Sequence, residues 1–103
     1  MSQQQLIQEP AAADSGDFWA RVHRGPLKHE MIALLELIHD YQEIAQQWLR
    51  YEPDGEYHGA HQEATRIQLK MSTAKFETVR DQLLQMPGTI LIRTPSGRLA
   101  LTW

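Results

Sequence analysis

Cysteine is absent from the 103 residues, which removes disulfides and thiolate metal sites and fits a reducing compartment. No apolar run approaches the roughly 18–20 residues needed to span a bilayer. The opening stretch "MSQQQLIQEPAAADSGD" also lacks the basic start and apolar core of a signal peptide. A cytoplasmic protein with no membrane partner is therefore expected. A phosphate-cradling Gly loop, a nucleophile elbow and an H-E-x-x-H pair are missing as well. Neither an enzyme nor a bound cofactor is expected from this chain. Its length suits one compact domain, and 42% hydrophobic residues with three Trp suffice for a modest core.

Charge is scarce in total, −3 net, but unevenly placed. Residues 1–65 carry four basic side chains (Arg21, Arg24, Lys28, Arg50) against eleven acidic ones, a balance of −7. Residues 66–103 carry six (Arg66, Lys70, Lys75, Arg80, Arg93, Arg98) against Glu77 and Asp81, a balance of +4. An acidic front joined to a basic back suggests that one end meets a polyanion.

The five Pro and six Gly punctuate the chain rather than pervade it. Residues 1–14 are Gln- and Ala-rich, with Pro10 inside, and read as a flexible arm. Asp14, Ser15 or Asp17 can cap a short helix bearing Phe18, Trp19 and Val22, which Gly25-Pro26 ends. From Leu27 to Tyr51 neither Pro nor Gly occurs, and Leu27, Met31, Leu34, Ile38, Tyr41, Ala45 and Trp48 alternate at spacings of four and three. Such a helix is about 36 Å long, and Ile32, Leu35, Leu37, Ile44 and Leu49 broaden its apolar stripe. Length and breadth together predict a homodimer through Leu27, Met31, Leu34, Ile38, Tyr41 and Trp48. The alternative is a central core helix in a monomer.

After the turn-forming "EPDGEYHGA", residues 61–71 suggest a shorter helix. Ser72 and Thr73 then cap another, whose Phe76, Val79, Leu83 and Met86 form one buried face before Pro87-Gly88. The last stretch, "TILIRTPSGRLALTW" over 89–103, alternates apolar and polar residues around "TPSG" and predicts a β-hairpin. Two strands alone are marginal in water, so its apolar face should rest on the helices.

Helix, short turn, helix and hairpin, in a chain whose basic residues gather there, resemble the winged helix-turn-helix family. The resemblance spans about 61–103, or 27–103 with the long helix included. It implies an α+β, mostly helical domain over 15–103, with the long helix at 27–51, the helix-turn-helix at 61–86 and the wing at 89–103. It implies a supporting helix "HQEATRIQLKM", a recognition helix "STAKFETVRDQLLQM" and a wing "ILIRTPSGRLAL". The family's usual Gly at the corner between the two helices is missing from "LKMST".

On these positions the expected partner is double-stranded DNA. Lys75, Thr78 and Thr73 would reach base edges, with Ser72 at the helix start. Arg66, Lys70, Arg93 and Arg98 would hold phosphates. The expected function is a small sequence-specific DNA-binding regulator acting as a dimer. The rival is a non-enzymatic adaptor or inhibitor that binds a protein partner through the acidic half and the Phe18/Trp19 segment.

Five histidines raise the question of metal. His58 and His61 are spaced for one helical face, and Glu63 or His39 could join them. Gly59 between the pair, and the missing thiolates, favour surface histidines, and no metal site is expected.

Overall fold

The computed structural model describes residues 10–52 and 54–102, and within 10–15 the backbone alone. Four helices and a two-stranded hairpin follow one another as α1 (Pro10–Arg24), α2 (Lys28–Tyr51), α3 (Gln62–Leu69), α4 (Thr73–Gln85), β1 (Leu91–Arg93) and β2 (Leu99–Leu101). The chain is thus α+β and mostly helical. No helix among the described residues is long and apolar enough to cross a membrane.

Helix α1 starts at Pro10, ahead of the expected caps at Asp14, Ser15 or Asp17. Proline suits a first helical turn, because its ring presets φ and its missing N–H would have no partner there. Pro10 therefore opens a helix, and residues 10–14 belong to α1 rather than to the expected arm. Residues 1–9, the rest of the expected arm, lie outside the described residues. Phe18 and Val22, one turn apart, are fully buried against α2, and Trp19 packs edge-on against Phe18 with ring centres 5.4 Å apart. Phe18 is therefore core and cannot serve as an exposed docking residue.

The long apolar stripe of α2 splits in two. Met31, Leu34 and Ile38 are 2%, 0% and 0% exposed, in the same core as Phe18, Phe76, Val79, Leu83 and the hairpin leucines. The core of the single chain already covers these three side chains, which leaves them no solvent-exposed surface. Leu27 and Tyr41 pack half-buried at the margin of that core, and Trp48 is exposed. Beyond Ile38, α2 buries no side chain fully. Its last 13 residues continue for about 20 Å at 1.5 Å per residue.

Antiparallel pairing sets Leu91 opposite Leu101, Ile92 opposite Ala100 and Arg93 opposite Leu99. Leu91, Leu99 and Leu101 point inward and are buried, whereas Ile92 faces out. Ala60 forms a bridge to the other edge of β2, its N–H 2.6 Å from the Leu99 carbonyl and its own carbonyl 3.0 Å from the Leu99 N–H. Further along that edge, the Leu101 N–H donates to Gln42 Oε1 of α2. A short extended segment before α3 thus lies beside β2, and β2 runs between it and β1. The sequence reads this segment only as turn. Trp103 lies outside the described residues.

Candidate nucleic-acid interface

The corner between α3 and α4 is built from local hydrogen bonds. Thr65, fully buried, donates its hydroxyl hydrogen to the His61 carbonyl at 2.7 Å. At the far end, Lys70 takes the left-handed conformation, φ 59° and ψ 36°, in which Gly is usual. Lys70 holds this conformation with the strain that a side chain brings to it. The Lys70 and Met71 N–H groups close the helix on the Ile67 and Arg66 carbonyls at 3.0 and 3.3 Å. Ser72 then caps α4, its Oγ accepting from the Lys75 N–H at 3.1 Å.

Arg66 is part of this corner rather than a free cation. Its guanidinium forks onto both carboxylate oxygens of Glu63 and donates to the Met71 carbonyl at 2.8 Å. The hydrogen bonds from Arg66 hold the Glu63 carboxyl below its usual range. A phosphate would have to compete with these three hydrogen bonds to reach Arg66.

Helix α4 turns Phe76, Val79 and Leu83 to the core, so Ala74, Thr78, Asp81 and Gln85 run along its opposite side, Asp81 half-buried and the others exposed. Thr78 donates to the Ala74 carbonyl at 3.0 Å and Thr73 is exposed at the helix start. Charged groups flank this ridge. On one side Lys75 lies 3.6 Å from Glu30 of α2, across a shallow depression that Lys70 and Ser72 also line. On the other lies Arg80, which donates to Asp81 of the ridge at 2.8 Å, the main cause of the lowered Asp81 pKa, and Arg93 of β1 adds to the effect.

Register separates the two hairpin arginines. Arg93, paired with Leu99, shares the face of Leu91 and Leu101 and extends it toward α4; Arg98 falls on the other face with Ile92 and Ala100. Arg98 acts instead on Tyr57, in the segment before α3. That pull opposes the rise in the Tyr57 pKa caused mainly by burial and then by Tyr41. The Tyr57 hydroxyl is covered and finds no hydrogen-bond partner among the described residues.

The hairpin tip is held firmly. Thr94 and Ser96 both donate to the His58 carbonyl, at 3.0 and 3.1 Å, and Gln62 Nε2 donates to the Gly97 carbonyl at 2.7 Å. Gln62 Oε1 accepts from Arg80 at 3.0 Å, so one amide ties the wing to α3 and α4. Nothing in the sequence marks Gln62 for this role. A glutamine at the first position of a helix has no motif, and its partners lie 18 and 35 residues away.

The histidines do not converge as the sequence allowed. His58 approaches Glu56 at 3.4 Å and His61 precedes α3, whereas His39 groups with Asp40 and Glu43 on α2. Comparison with known proteins finds no family, no curated protein and no solved structure that matches this chain.

Proposed function

We propose that the chain is a winged-helix protein that binds duplex DNA as a small regulator, with α4 in the major groove and the hairpin against the adjoining backbone. The strand order supports the family reading. In the winged helix a short extended segment between its first two helices joins the wing, with the last strand in the middle, and Ala60, β2 and β1 have that order. The observation that carries the DNA reading is the α4 ridge. Its outward line, Ala74, Thr78, Asp81 and Gln85, is bracketed by Lys70 and Lys75 on one flank and Arg93 on the other. A helix in a major groove has a phosphate strand on each side, so cations belong on its flanks and short polar groups along its crest.

One observation favours the rival, protein-binding reading. Lys75 is already paired with Glu30, Asp81 places a carboxylate on the crest itself and Glu77 places another beside it. These charges weaken the positive field that a DNA interface needs.

The deciding experiment is fluorescence anisotropy of a labelled duplex of about 30 base pairs at 50 and 200 mM salt, where each neutralised phosphate steepens the salt slope by about 0.9. Micromolar or tighter binding that weakens about tenfold or more across that range is the expected result. No binding at 50 mM salt rejects DNA and leaves a protein partner as the reading to pursue.

A further inference from the structure

A chain of hydrogen bonds runs from the hairpin tip to the outward face of α4. Gln62 Nε2 donates to the Gly97 carbonyl at 2.7 Å, Gln62 Oε1 accepts from Arg80 at 3.0 Å, and Arg80 Nε donates to Asp81 Oδ1 at 2.8 Å. The Arg80 side chain is 18% exposed and that of Asp81 47% exposed. The chain of bonds thus starts at a well-held turn and ends on a carboxylate that solvent reaches. The second oxygen of Asp81, Oδ2, has no hydrogen-bond or ion-pair partner among the described residues. A fixed orientation and an open oxygen suit a recognition group, because the side chain is ordered before it meets its ligand.

Asp81 also differs in kind from its neighbours on that face. Ala74 offers no polar side-chain group, the Thr78 hydroxyl donates to the Ala74 carbonyl, and Gln85 can both donate and accept. Of the four, Asp81 alone is restricted to accepting. No Lys or Arg stands on this line, so the usual bidentate reading of guanine has no residue to perform it.

We propose that Asp81 is the specificity-determining residue of α4, its open oxygen accepting from the N4 amino group of a cytosine in the major groove, with Arg80 and Gln62 as the positioning residues behind it. Asp81 takes this role only under the DNA reading above, and it supplies the base that reading leaves open. Cytosine fits by its donor pattern. Its major-groove edge shows the N4 donor alone, whereas adenine sets the N7 acceptor beside its N6 donor and repels a carboxylate there. Thymine presents the O4 acceptor where cytosine has its donor, and guanine presents two acceptors. The carboxylate therefore pairs well with one base and opposes the other three.

The test is selection of preferred duplexes from a randomised pool at about 50 mM salt, followed by anisotropy on four duplexes that differ at a single base pair. The wild-type chain should demand cytosine at one position, with binding at least about fivefold weaker when thymine replaces it. Asp81→Asn keeps the acceptor for Arg80 and turns Oδ2 into an amide donor, so the same position should change its preference from cytosine to thymine. Asp81→Ala should bind the four duplexes within about twofold of one another, and unrelated DNA about threefold more tightly, because one anionic group leaves the interface. A residue that only supports the fold would instead weaken binding to every duplex alike. Gln62→Ala slackens Arg80 and leaves Asp81 in place, so it should narrow the cytosine-to-thymine ratio about two- to threefold with the salt slope unchanged. A ratio that Gln62→Ala leaves intact overturns the positioning role. Binding with no cytosine position, or a preference that stays with cytosine in Asp81→Asn, overturns the role of Asp81 while DNA binding stands. Failure of the wild-type chain to bind any duplex rejects the DNA reading itself, and the role of Asp81 falls with it.

Discussion

Gln62 and Gly97, 35 residues apart, are joined by a 2.7 Å hydrogen bond from the glutamine amide to the carbonyl at the hairpin tip. The other end of the same amide holds Arg80. Gln62→Ala should lower stability by about 1–2 kcal/mol, since each lost bond contributes roughly 0.5–1.5 kcal/mol net. Gln62→Glu keeps the acceptor for Arg80 and removes the donor to Gly97. Amide exchange should therefore quicken at residues 94–98 in both variants, while contacts of Arg80 loosen only in the alanine variant. Urea denaturation and hydrogen exchange read the two effects separately.

Gly59 has φ +103° and sits where a Cβ would come within 2.9 Å of the Arg98 Cβ and 3.0 Å of the Leu99 carbonyl oxygen. Strain and collision add here, so Gly59→Ala should destabilise the fold by about 2 kcal/mol or more. Gly16 is the control. It lies in α1 with open space around its Cβ position, so Gly16→Ala should stabilise by about 0.5–1 kcal/mol through helix propensity. Thermal melts of the two variants should move in opposite directions.

These two positions show what the sequence carries and what it withholds. Helix α4 was legible, because Phe76, Val79 and Leu83 recur with helical period between a Ser cap and Pro87-Gly88. The hairpin and its four-residue turn were legible from alternation. The bridge from Ala60 to Leu99 was not, since one extended residue among turn formers has no periodicity, and its reason lies in a strand 39 residues away. The inward half of α2 could not be told from its outward half either. One repeat of three and four runs through both, and only the reach of the core, ending at Ile38, separates them. The candidate site was half legible: Lys75, Thr78 and Arg93 lie around one helix, but the capture of Arg66 by Glu63 and the opposite facing of Arg98 depend on rotamer and register.

Lys70 holds a left-handed conformation that costs a side chain about 1 kcal/mol relative to Gly. Lys70→Gly should therefore stabilise the protein by about 0.5–1 kcal/mol, whereas Lys70→Ala should not. Both variants remove the same charge from the corner and should weaken DNA binding equally. Stability and affinity then move independently, which denaturation and anisotropy on one pair of variants will reveal.

Acid should loosen the contacts of α3 and α4. Arg66 holds Glu63 and Arg80 holds Asp81 below their ordinary values of 4.5 and 3.8, because each guanidinium bonds to the ionised form. A carboxyl whose folded pKa is lowered contributes stability above its unfolded value, and loses it as pH falls through the folded one. Stability should thus be level from neutral pH down to about 4.5 and decline below it. Glu63→Gln and Asp81→Asn should each start less stable at pH 7 and show a shallower decline. Equal slopes for all three proteins in denaturant titrations between pH 6 and pH 2 would count against both pairs.

The two wing arginines and Arg66 should separate by experiment even though all three are basic residues in one half of the chain. Arg93 extends the wing face that meets α4, so Arg93→Ala should lower DNA affinity by about tenfold and reduce the salt slope by about one contact. Arg98 projects from the other face, beside Tyr57, and Arg98→Ala should cost less than about threefold. Arg66→Ala should leave the salt slope unchanged in the folded fraction. Its loss should appear as reduced stability, because it frees Glu63 and removes a donor from the Met71 carbonyl. Anisotropy at two salt concentrations, read beside a urea melt for each variant, distinguishes a residue that touches phosphate from one that shapes the turn. An Arg93→Ala variant that binds as tightly as the wild type, with the same slope, would remove the wing from the interface.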